Sequence, residues 1–230
     1  MKRHGLYLQP EISPYDEILA LQGKISSARH RRVIPDTVIF LEHQRCITVG
    51  RDGKFGNIIS SCRDLQERDV KVFETDRGGD VTYHGPGQVV CYPIIDLEER
   101  ECDIYVYART LETMIIETLK AFGIRSGRKK GFPGIWIGAM EKIAFEGIAI
   151  DRGVTMHGVS LNVNTSLDDF SMIVPCGLSA CEVTSMEKCL GRRIEIQKVM
   201  TEMRSQFSVL FDIELKEISV PELRGMIENE

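Results

Sequence analysis

The sequence predicts an α+β fold in which helices flank mixed, mostly antiparallel sheets. Apolar residues recur at helical spacing in three long segments, at residues 14–32, 103–122 and 194–211. Three successive runs rich in Ile and Val have only short connections between them, at residues 134–138, 142–150 and 154–163. Short connections are typical of antiparallel neighbours. Because helices and such strands alternate along the chain, α+β is the predicted class.

The other predicted elements are short. Strands are expected at residues 6–8, 37–43, 46–50, 72–75, 89–95 and 213–216, helices at 61–68 and 221–227, and a helical turn at 168–170. Pro14 suits the first turn of the first long helix, since proline lacks the backbone N–H that such a turn leaves unpaired. Gly123 is predicted to end the second long helix.

Length favours one domain over residues 1–230, with residues 191–230 as a C-terminal extension of helix and strand. The net charge of -5 gives no basic footprint for nucleic acid and no attraction to an anionic membrane. Neither a signal peptide nor a long apolar run is visible, so we expect a cytoplasmic protein.

Cysteine usage predicts neither a disulfide scaffold nor a metal site. The chain has 7 cysteines, an odd number, and none of them form a Cys-x-x-Cys pair. Most of these thiols are expected to be buried and to act as small apolar side chains.

The most distinctive stretch runs from Arg77 to Gln88. It holds four glycines and one proline among twelve residues, which we interpret as too many for a regular helix or strand. Glycine lets a ligand approach the main chain closely. Such a cluster often marks only a turn, but a turn has no need of Arg, Thr, Tyr and His side chains packed together. A ligand-contacting loop between two strands is therefore predicted.

Two further positions could carry chemistry. Cys176 lies between Pro175 and Gly177, where a thiol can face outward and a backbone N–H is open to an oxyanion. Lys142 begins an apolar strand, where an ammonium could stabilise a thiolate or a neutral amine could accept a proton. Each has a plainer interpretation, an inert buried thiol and an ordinary edge lysine.

Two histidines compete for the role of base. His84 and His157 each precede a glycine. A histidine in a strand is more often a hydrogen-bonded core residue than a base, so both stay secondary candidates. No phosphate-binding loop of the usual glycine patterns is present, which lowers the case for nucleotide binding.

Several segments taken together resemble the lipoyl(octanoyl) transferases. The shared motifs are Arg77-Gly78-Gly79-x-x-Thr82-Tyr83-His84-Gly85-Pro86-Gly87-Gln88, Lys142-Ile143-Ala144, Thr155-x-His157-Gly158, Leu161-Asn162-Val163, Pro175-Cys176-Gly177-Leu178 and Thr184-Ser185. The resemblance covers residues from about 37 to about 190, and the combination is specific although no single piece is.

This resemblance implies the fold of lipoate- and biotin-protein ligases and a Cys176/Lys142 dyad, with no cofactor. The implied activity is transfer of an octanoyl (or lipoyl) group, through an acyl-cysteine thioester, from acyl carrier protein to a lysine of lipoyl domains, a step of lipoate biosynthesis. The implied acceptors are 2-oxoacid dehydrogenase complexes and the glycine cleavage H protein. The implied substrate contacts are Arg77, Gly78, Gly79, Asp80, Val81, Thr82, Tyr83, His84, Phe145, Glu146, Gly147, Gly158, Val159 and Ser160.

Two pairs of residues depart from the family pattern. Phe145-Glu146 stands where a small or aliphatic pair is usual, and Val159-Ser160 where Leu-Ala is usual. Both pairs lie where the family places the acyl chain, so the departures bear on acyl length. An acidic carrier would need a basic patch, for which the candidates are Arg29, Arg31, Arg32, Arg125, Arg128, Lys129 and Lys130.

Three alternatives stay open. An ATP-dependent lipoate-protein ligase would share the fold, a relative without catalysis could bind carrier protein only, and a cysteine enzyme could act on another acyl thioester.

Overall fold

The computed structural model describes residues 2–175 and 181–228, which form six α-helices and twelve strands. The strands are β1 Arg3–Leu8, β2 Thr37–Leu41, β3 Cys46–Val49, β4 Lys71–Glu74, β5 Val81–His84, β6 Gln88–Ile94, β7 Gly127–Lys129, β8 Phe132–Ile137, β9 Glu141–Asp151, β10 Val154–Asn162, β11 Glu182–Val183 and β12 Ile213–Glu217. The helices are α1 Tyr15–His30, α2 Cys62–Glu67, α3 Ile104–Ala121, α4 Met186–Leu190, α5 Ile196–Leu210 and α6 Val220–Glu228.

The described strands form one large and one small sheet. The large sheet has the order β12-β1-β2-β6-β10-β9-β8-β7, with β11 added beside β9, and the small sheet has the order β4-β3-β5. The neighbours from β2 to β7 in that order are antiparallel, whereas β1 runs parallel to both β12 and β2. The predicted meander of β8, β9 and β10 is confirmed, as is the α+β class.

Helices cover both faces of the large sheet. Helices α3 and α5 pack on one face, where Leu111 and Phe207 meet Val89, Cys91 and Val159. Helices α1 and α6 pack on the other face, which carries residues such as Val90 and Tyr92. The small sheet extends this second face, because residues of β3 and β5 share a cluster with Phe145 of β9. Strand alternation explains the division, since successive side chains point to opposite faces.

Helix ends follow the sequence signals. Ser61 and Asp64 form a reciprocal capping box at the start of α2, and Asp103 accepts a hydrogen bond from the backbone N–H of Tyr105 at the start of α3. Gly123 adopts φ 79°, and its N–H donates to the carbonyl of Lys120, so the predicted end of α3 is confirmed. A positive φ is open to glycine at little cost.

Three expectations about local structure are wrong. The glycine-rich stretch is not free of regular structure, because Val81–His84 forms β5 between its two glycine pairs. The basic segment 124–131, where the sequence predicts no strand, contains β7. Neither β11 nor α4 was expected from the sequence. These elements are too short for periodicity to show, and pairing with a neighbour stabilises them.

The expectation that most cysteines are buried is also wrong for the described residues. Cys46 and Cys91 are buried, but Cys62 and Cys189 are exposed, and Cys102 and Cys181 are half-buried. The buried pair shows the expected apolar behaviour, since burial raises the pKa of the Cys91 thiol well above its usual value.

Arg29 is not part of a surface patch. Its side chain is buried, its Nε donates to Asp36 at 2.7 Å and its Nη2 donates to Glu99 at 2.7 Å. Arg100 donates to the other oxygen of Asp36, also at 2.7 Å. This cluster connects α1 to the segment before α3. Because Arg29 is buried and paired there, it is not available to bind an acidic carrier.

The C-terminal residues share the main core. Val199, Met203 and Phe207 of α5 pack with α3, and β12 is an edge strand of the large sheet beside β1. Among the described residues, no helix combines the length and the apolar character needed to cross a membrane.

Candidate active site

A cavity of about 280 Å³ opens where β5 of the small sheet faces β6, β9 and β10 of the large sheet. It is lined by Tyr15, Arg77, Gly79, Asp80, Val81, Thr82, His84, Val90, Tyr92, Gly131, Phe132, Pro133, Lys142, Phe145, Glu146, Gly147, His157, Gly158, Val159 and Ser160. The lining therefore includes Lys142, His157 and every predicted substrate contact except Gly78 and Tyr83.

Arg77 holds the glycine-rich stretch in place. Its buried guanidinium donates to the hydroxyl and carbonyl of Thr48 on β3, at 2.8 and 2.7 Å from Nη2, and to the carbonyl of Asp80 at 2.8 Å. These contacts lock the loop against the small sheet. The resemblance implies that Arg77 contacts substrate. In this structure Arg77 lines the cavity, and its guanidinium donates to Thr48 and Asp80.

The loop also rests on β9, and this requires glycine. The N–H of Gly78 donates to the carbonyl of Ile148 at 2.9 Å. A Cβ on Gly147 would lie 2.9 Å from Cδ of Arg77 and 3.0 Å from the carbonyl oxygen of Gly78. Gly147 is therefore needed for the close approach of the loop to the sheet.

Tyr83 points away from the cavity. Its hydroxyl donates to Asp169 at 2.7 Å, and its ring meets Phe170 edge-on with centroids 5.4 Å apart. Thr82 and His84, its neighbours on β5, face the cavity, as strand alternation requires. Thr82 lines the cavity with a buried hydroxyl that has no hydrogen-bond partner among the described residues.

A chain of hydrogen bonds sets the tautomer of His84. The carbonyl of Thr184 accepts from the side-chain amide N–H of Asn162 at 3.0 Å, so Oδ1 of Asn162 faces Nε2 of Gln88 at 2.9 Å. That Gln88 nitrogen also donates to the carbonyl of Tyr83. The side-chain oxygen Oε1 of Gln88 therefore accepts a hydrogen bond from Nδ1 of His84 at 2.6 Å. Nδ1 therefore carries the hydrogen, and Nε2 carries the lone pair.

His84 belongs to a buried aromatic cluster that keeps it neutral. Its ring stacks on Tyr15 with centroids 6.1 Å apart and lies 5.7 Å from the ring of His43. Burial, with repulsion from His43 as the next cause, lowers the pKa of His84 to about 3. Burial also lowers the pKa of His43 to about 4, and its Nε2 lies 2.9 Å from the hydroxyl of Tyr92. His84 can accept a hydrogen bond near neutral pH, but it is a weak base.

His157 is held by two hydrogen-bonding contacts and has an unusual backbone conformation. Its backbone has φ 57°, its N–H donates to Gln22 at 2.8 Å, and its Nε2 lies 2.7 Å from Asp76. Burial lowers its pKa, although the Asp76 contact opposes the change. A non-glycine residue in the left-handed region is uncommon and points to a constrained position.

Lys142 lies in the wall of the cavity and is 3% exposed. Its Nζ is 4.8 Å from the ring centre of Phe145 and 5.5 Å from that of Trp136. Val183 of β11 is the strand partner of Lys142, and the N–H of Thr184 donates to the backbone carbonyl of Lys142 at 3.0 Å. The strand that follows residues 176–180 thus runs directly beside Lys142. Cys176 and Gly177 themselves lie outside the described residues.

The two departures from the family pattern divide between the two faces of the large sheet. Phe145 and Ser160 are cross-strand partners on the cavity face, whereas Glu146 and Val159 are partners on the face that packs against α3. Neighbouring strands place opposed side chains on the same face. Only one residue of each pair therefore turns its side chain toward the cavity.

Glu146 is surrounded by charges of the α3 layer. Burial, with repulsion from Glu112 of α3 as the next cause, raises the pKa of Glu146 to about 8, while Lys142, Arg109 and Arg128 oppose the increase. Its Oε1 is buried and has no hydrogen-bond partner among the described residues. Glu146 is therefore mostly protonated at neutral pH, and the strand register turns its side chain toward α3.

Comparison with known proteins agrees with this architecture. Residues 14–208 match the family described as lipoyl protein ligase A/B catalytic domain. An octanoyltransferase of Caldicellulosiruptor saccharolyticus is 43% identical over 229 residues, which cover 99% of this chain and 96% of that protein. This chain belongs to the octanoyltransferase family. The predicted resemblance to the lipoyl(octanoyl) transferases is confirmed.

Solved structures show the same fold at low identity. A bi-partite lipoate protein ligase from Thermoplasma acidophilum, studied with its E2 lipoyl domain, superposes with a TM-score of 0.73 at 17% identity and covers 99% of this chain and 91% of that chain. A biotin protein ligase from Aquifex aeolicus, in complex with biotin and ATP, gives 0.53 at 12% identity, with 90% and 70% covered. The predicted ligase fold is confirmed.

Sequence reasoning missed part of this octanoyltransferase cavity. Tyr15 of α1, Tyr92 of β6 and the exposed segment Gly131–Pro133 also line it. Their residue types carry no chemical signature at those positions, so no pattern could have singled them out. In residues 2–175 and 181–228, no group of three or more His, Cys, Asp or Glu side chains is placed to hold a metal ion.

Proposed function

We propose that this chain transfers an octanoyl group from acyl carrier protein to a lysine of lipoyl domains, through a thioester on Cys176. The observation that carries the proposal is the placement of Lys142 in the cavity wall, beside the strand that follows residues 176–180. The octanoyltransferase relatives support the same reaction class. In this proposal the protein is a cytoplasmic acyltransferase of lipoate biosynthesis, and residues 1–230 form one catalytic domain with 191–230 as its C-terminal part.

The first half-reaction acylates Cys176. The ammonium of Lys142 stabilises the thiolate, which attacks the carbonyl carbon of the octanoyl thioester on the carrier. Backbone N–H groups near Gly177 or in the glycine-rich stretch hold the oxyanion of the tetrahedral intermediate. The carbon–sulfur bond to the phosphopantetheine breaks, and its thiolate takes a proton from Lys142. The new thioester is nearly equal in energy to the old one, so no ATP is needed.

The second half-reaction discharges the enzyme. The amine of the lipoyl-domain lysine attacks the acyl-Cys176 carbonyl, the carbon–sulfur bond breaks, and Lys142, now neutral, takes the proton released by the amine. His84 supports this step as a hydrogen-bond acceptor, because its Nε2 lone pair lies in a residue that lines the cavity. With a pKa of about 3, it orients an N–H group and does not remove the proton.

The carrier would dock beside the cavity mouth. Arg125 and Lys130 are exposed, and Lys130 directly precedes Gly131–Pro133, which line the cavity. Arg128 donates a hydrogen bond to Glu112 at 2.6 Å, and Lys129 donates one to the carbonyl of Ala139 at 2.8 Å, so both side chains already have partners. Arg125→Glu combined with Lys130→Glu should raise the KM for the acidic carrier several-fold, whereas Arg31→Glu with Arg32→Glu, at the end of α1, serves as the charge-matched control.

The decisive test is intact-protein mass spectrometry after mixing the enzyme with octanoyl-acyl carrier protein, without ATP. We expect one octanoyl adduct that is lost when a lipoyl domain is added. Cys176→Ser should form no adduct, whereas Cys62→Ser, which changes an exposed thiol, should form it normally.

The outcomes separate the remaining possibilities. Transfer that requires ATP and a free acid would identify a ligase, which the fold also supports. Carrier binding without any adduct would indicate a relative that has lost catalysis. An adduct with another acyl thioester only, and none with octanoyl, would show that the cysteine chemistry is correct and the acyl group is not.

A further inference from the structure

Phe145 lines the cavity and lies next to the ammonium group of Lys142. Its side chain is 5% exposed on the cavity face of β9, opposite Ser160 of β10. The Nζ of Lys142 lies 4.8 Å from the centre of the Phe145 ring. A cation over an aromatic face is attracted by the electron density of the ring, and the attraction is stronger where water is excluded.

The Phe145 ring is itself held by a stack of buried aromatic rings. It lies on Phe170 with centroids 5.3 Å apart and planes 15° from parallel. Phe170 meets Tyr83 edge-on, and the hydroxyl of Tyr83 is anchored on Asp169 at 2.7 Å. This is the contact that turns Tyr83 away from the cavity. Because each ring is fixed by the next, Phe145 cannot swing away from Lys142 without disturbing the stack.

We propose that Phe145 is a positioning residue for Lys142, and that the ring stack of Phe145, Phe170 and Tyr83 holds the ammonium where it stabilises the Cys176 thiolate. This inference rests on the proposed function, because it assumes the dyad. It also gives the departure at Phe145 a role in the chemistry: a small or aliphatic residue there would supply no ring face to the lysine. The part of the departure that faces α3, Glu146, is not needed for this role.

The test measures alkylation of individual cysteines by iodoacetamide, followed by peptide mass spectrometry between pH 6 and pH 9. Three thiols in the same molecule are compared: Cys176 reports the site, exposed Cys62 is the reference, and buried Cys91 reports any opening of the fold. The variants are Phe145→Met and Phe145→Leu, which fill much of the space without a ring, and Phe145→Tyr, which keeps the ring. Lys142→Ala is measured alongside them.

We expect alkylation of Cys176 at pH 7 to be about tenfold slower in Phe145→Met and Phe145→Leu, with Cys62 unchanged and Cys91 protected. Phe145→Tyr should recover most of the wild-type rate. If the role of Phe145 were purely structural, the ring-free variants would instead make Cys91 accessible to iodoacetamide. The pH dependence of Cys176 alkylation would then stay as in the wild type.

The results separate this inference from the proposed function. If Lys142→Ala slows Cys176 and both ring-free variants do not, the role of Phe145 is wrong and the dyad stands. If Lys142→Ala leaves Cys176 as reactive as before, the dyad is wrong and the role of Phe145 falls with it.

Discussion

The side-chain oxygen of Gln88 accepts a 2.6 Å hydrogen bond from Nδ1 of His84. Both residues are buried, and Gln88 is in turn fixed by Asn162, which lies 74 positions away in the sequence. The glutamine thus links the glycine-rich stretch to β10 and decides which nitrogen of His84 keeps its lone pair.

Replacing Gln88 tests this link. Gln88→Leu would leave Nδ1–H of His84 and Oδ1 of Asn162 buried without partners, so we expect a loss of roughly 2–4 kcal/mol in the free energy of unfolding. Octanoyl transfer should fall as well, because the His84 tautomer is no longer fixed. Urea denaturation and a transfer assay measure the two effects. Gln66→Leu, an exposed change on α2, is the control, and a similar result for both variants would contradict the network.

Gly147 provides a test of the loop contact. Gly147→Ala would place a Cβ 2.9 Å from Cδ of Arg77, so the glycine-rich stretch must move away from β9. Because small displacements in a site are costly, transfer should fall about tenfold or more. Gly23→Ala on α1 meets nothing within 4 Å and should instead stabilise the helix by about 0.5–1 kcal/mol. Unaltered transfer in Gly147→Ala would show that the contact is dispensable.

Glu146 gives a pH dependence of stability. Its pKa is about 8 in the folded protein against 4.5 for the free side chain, so the folded protein binds a proton that the unfolded chain has released between these values. The free energy of unfolding therefore falls as pH rises through this window. Glu146→Gln cannot titrate, and its advantage over the wild type should grow by at least about 1 kcal/mol from pH 5 to pH 8.

Glu17→Gln is the matched control for that measurement, since it removes an exposed carboxylate of α1. Urea denaturation of both variants and the wild type at pH 5 and pH 8 gives the comparison. An advantage of Glu146→Gln that stays constant, or an equal change in Glu17→Gln, would refute the burial of Glu146 as the cause.

Disruption of the charge cluster around Asp36 should lower the free energy of unfolding strongly without acting on the site directly. Asp36 accepts hydrogen bonds at 2.7 Å from both Arg29 and Arg100, and all three side chains are at most 9% exposed. Asp36→Asn would remove the carboxylate that Arg29 and Arg100 share, although Arg29 keeps its contact with Glu99, and should cost about 3–5 kcal/mol in unfolding free energy. Glu67→Gln, which breaks the exposed pair with Arg63, should cost less than about 1 kcal/mol. Equal losses would mean that the buried cluster contributes no more than a surface pair.

The helices and longer strands could be predicted from the sequence because their signals are local. Apolar spacing placed α1, α3 and α5, and Gly123 ended α3 where the sequence predicted. The strands β5, β7 and β11 were not predicted. Strands β7 and β11 have only three and two residues, too few for periodicity to show, and β5 lies between glycines that predict a loop.

The sequence by itself determined which residue types are available to the site, since the glycine-rich stretch, Lys142 and His84 could be named from local composition. Only the tertiary structure decided how they are used. Strand pairing directs Phe145 to the cavity and Glu146 to α3, and Tyr83 donates to Asp169. Arg77 holds the glycine-rich stretch on Thr48, and Arg29 is buried beside Asp36. The physical reason is that register and packing between distant segments fix the direction of each side chain. The sequence of one segment does not specify which distant segments will pack against it.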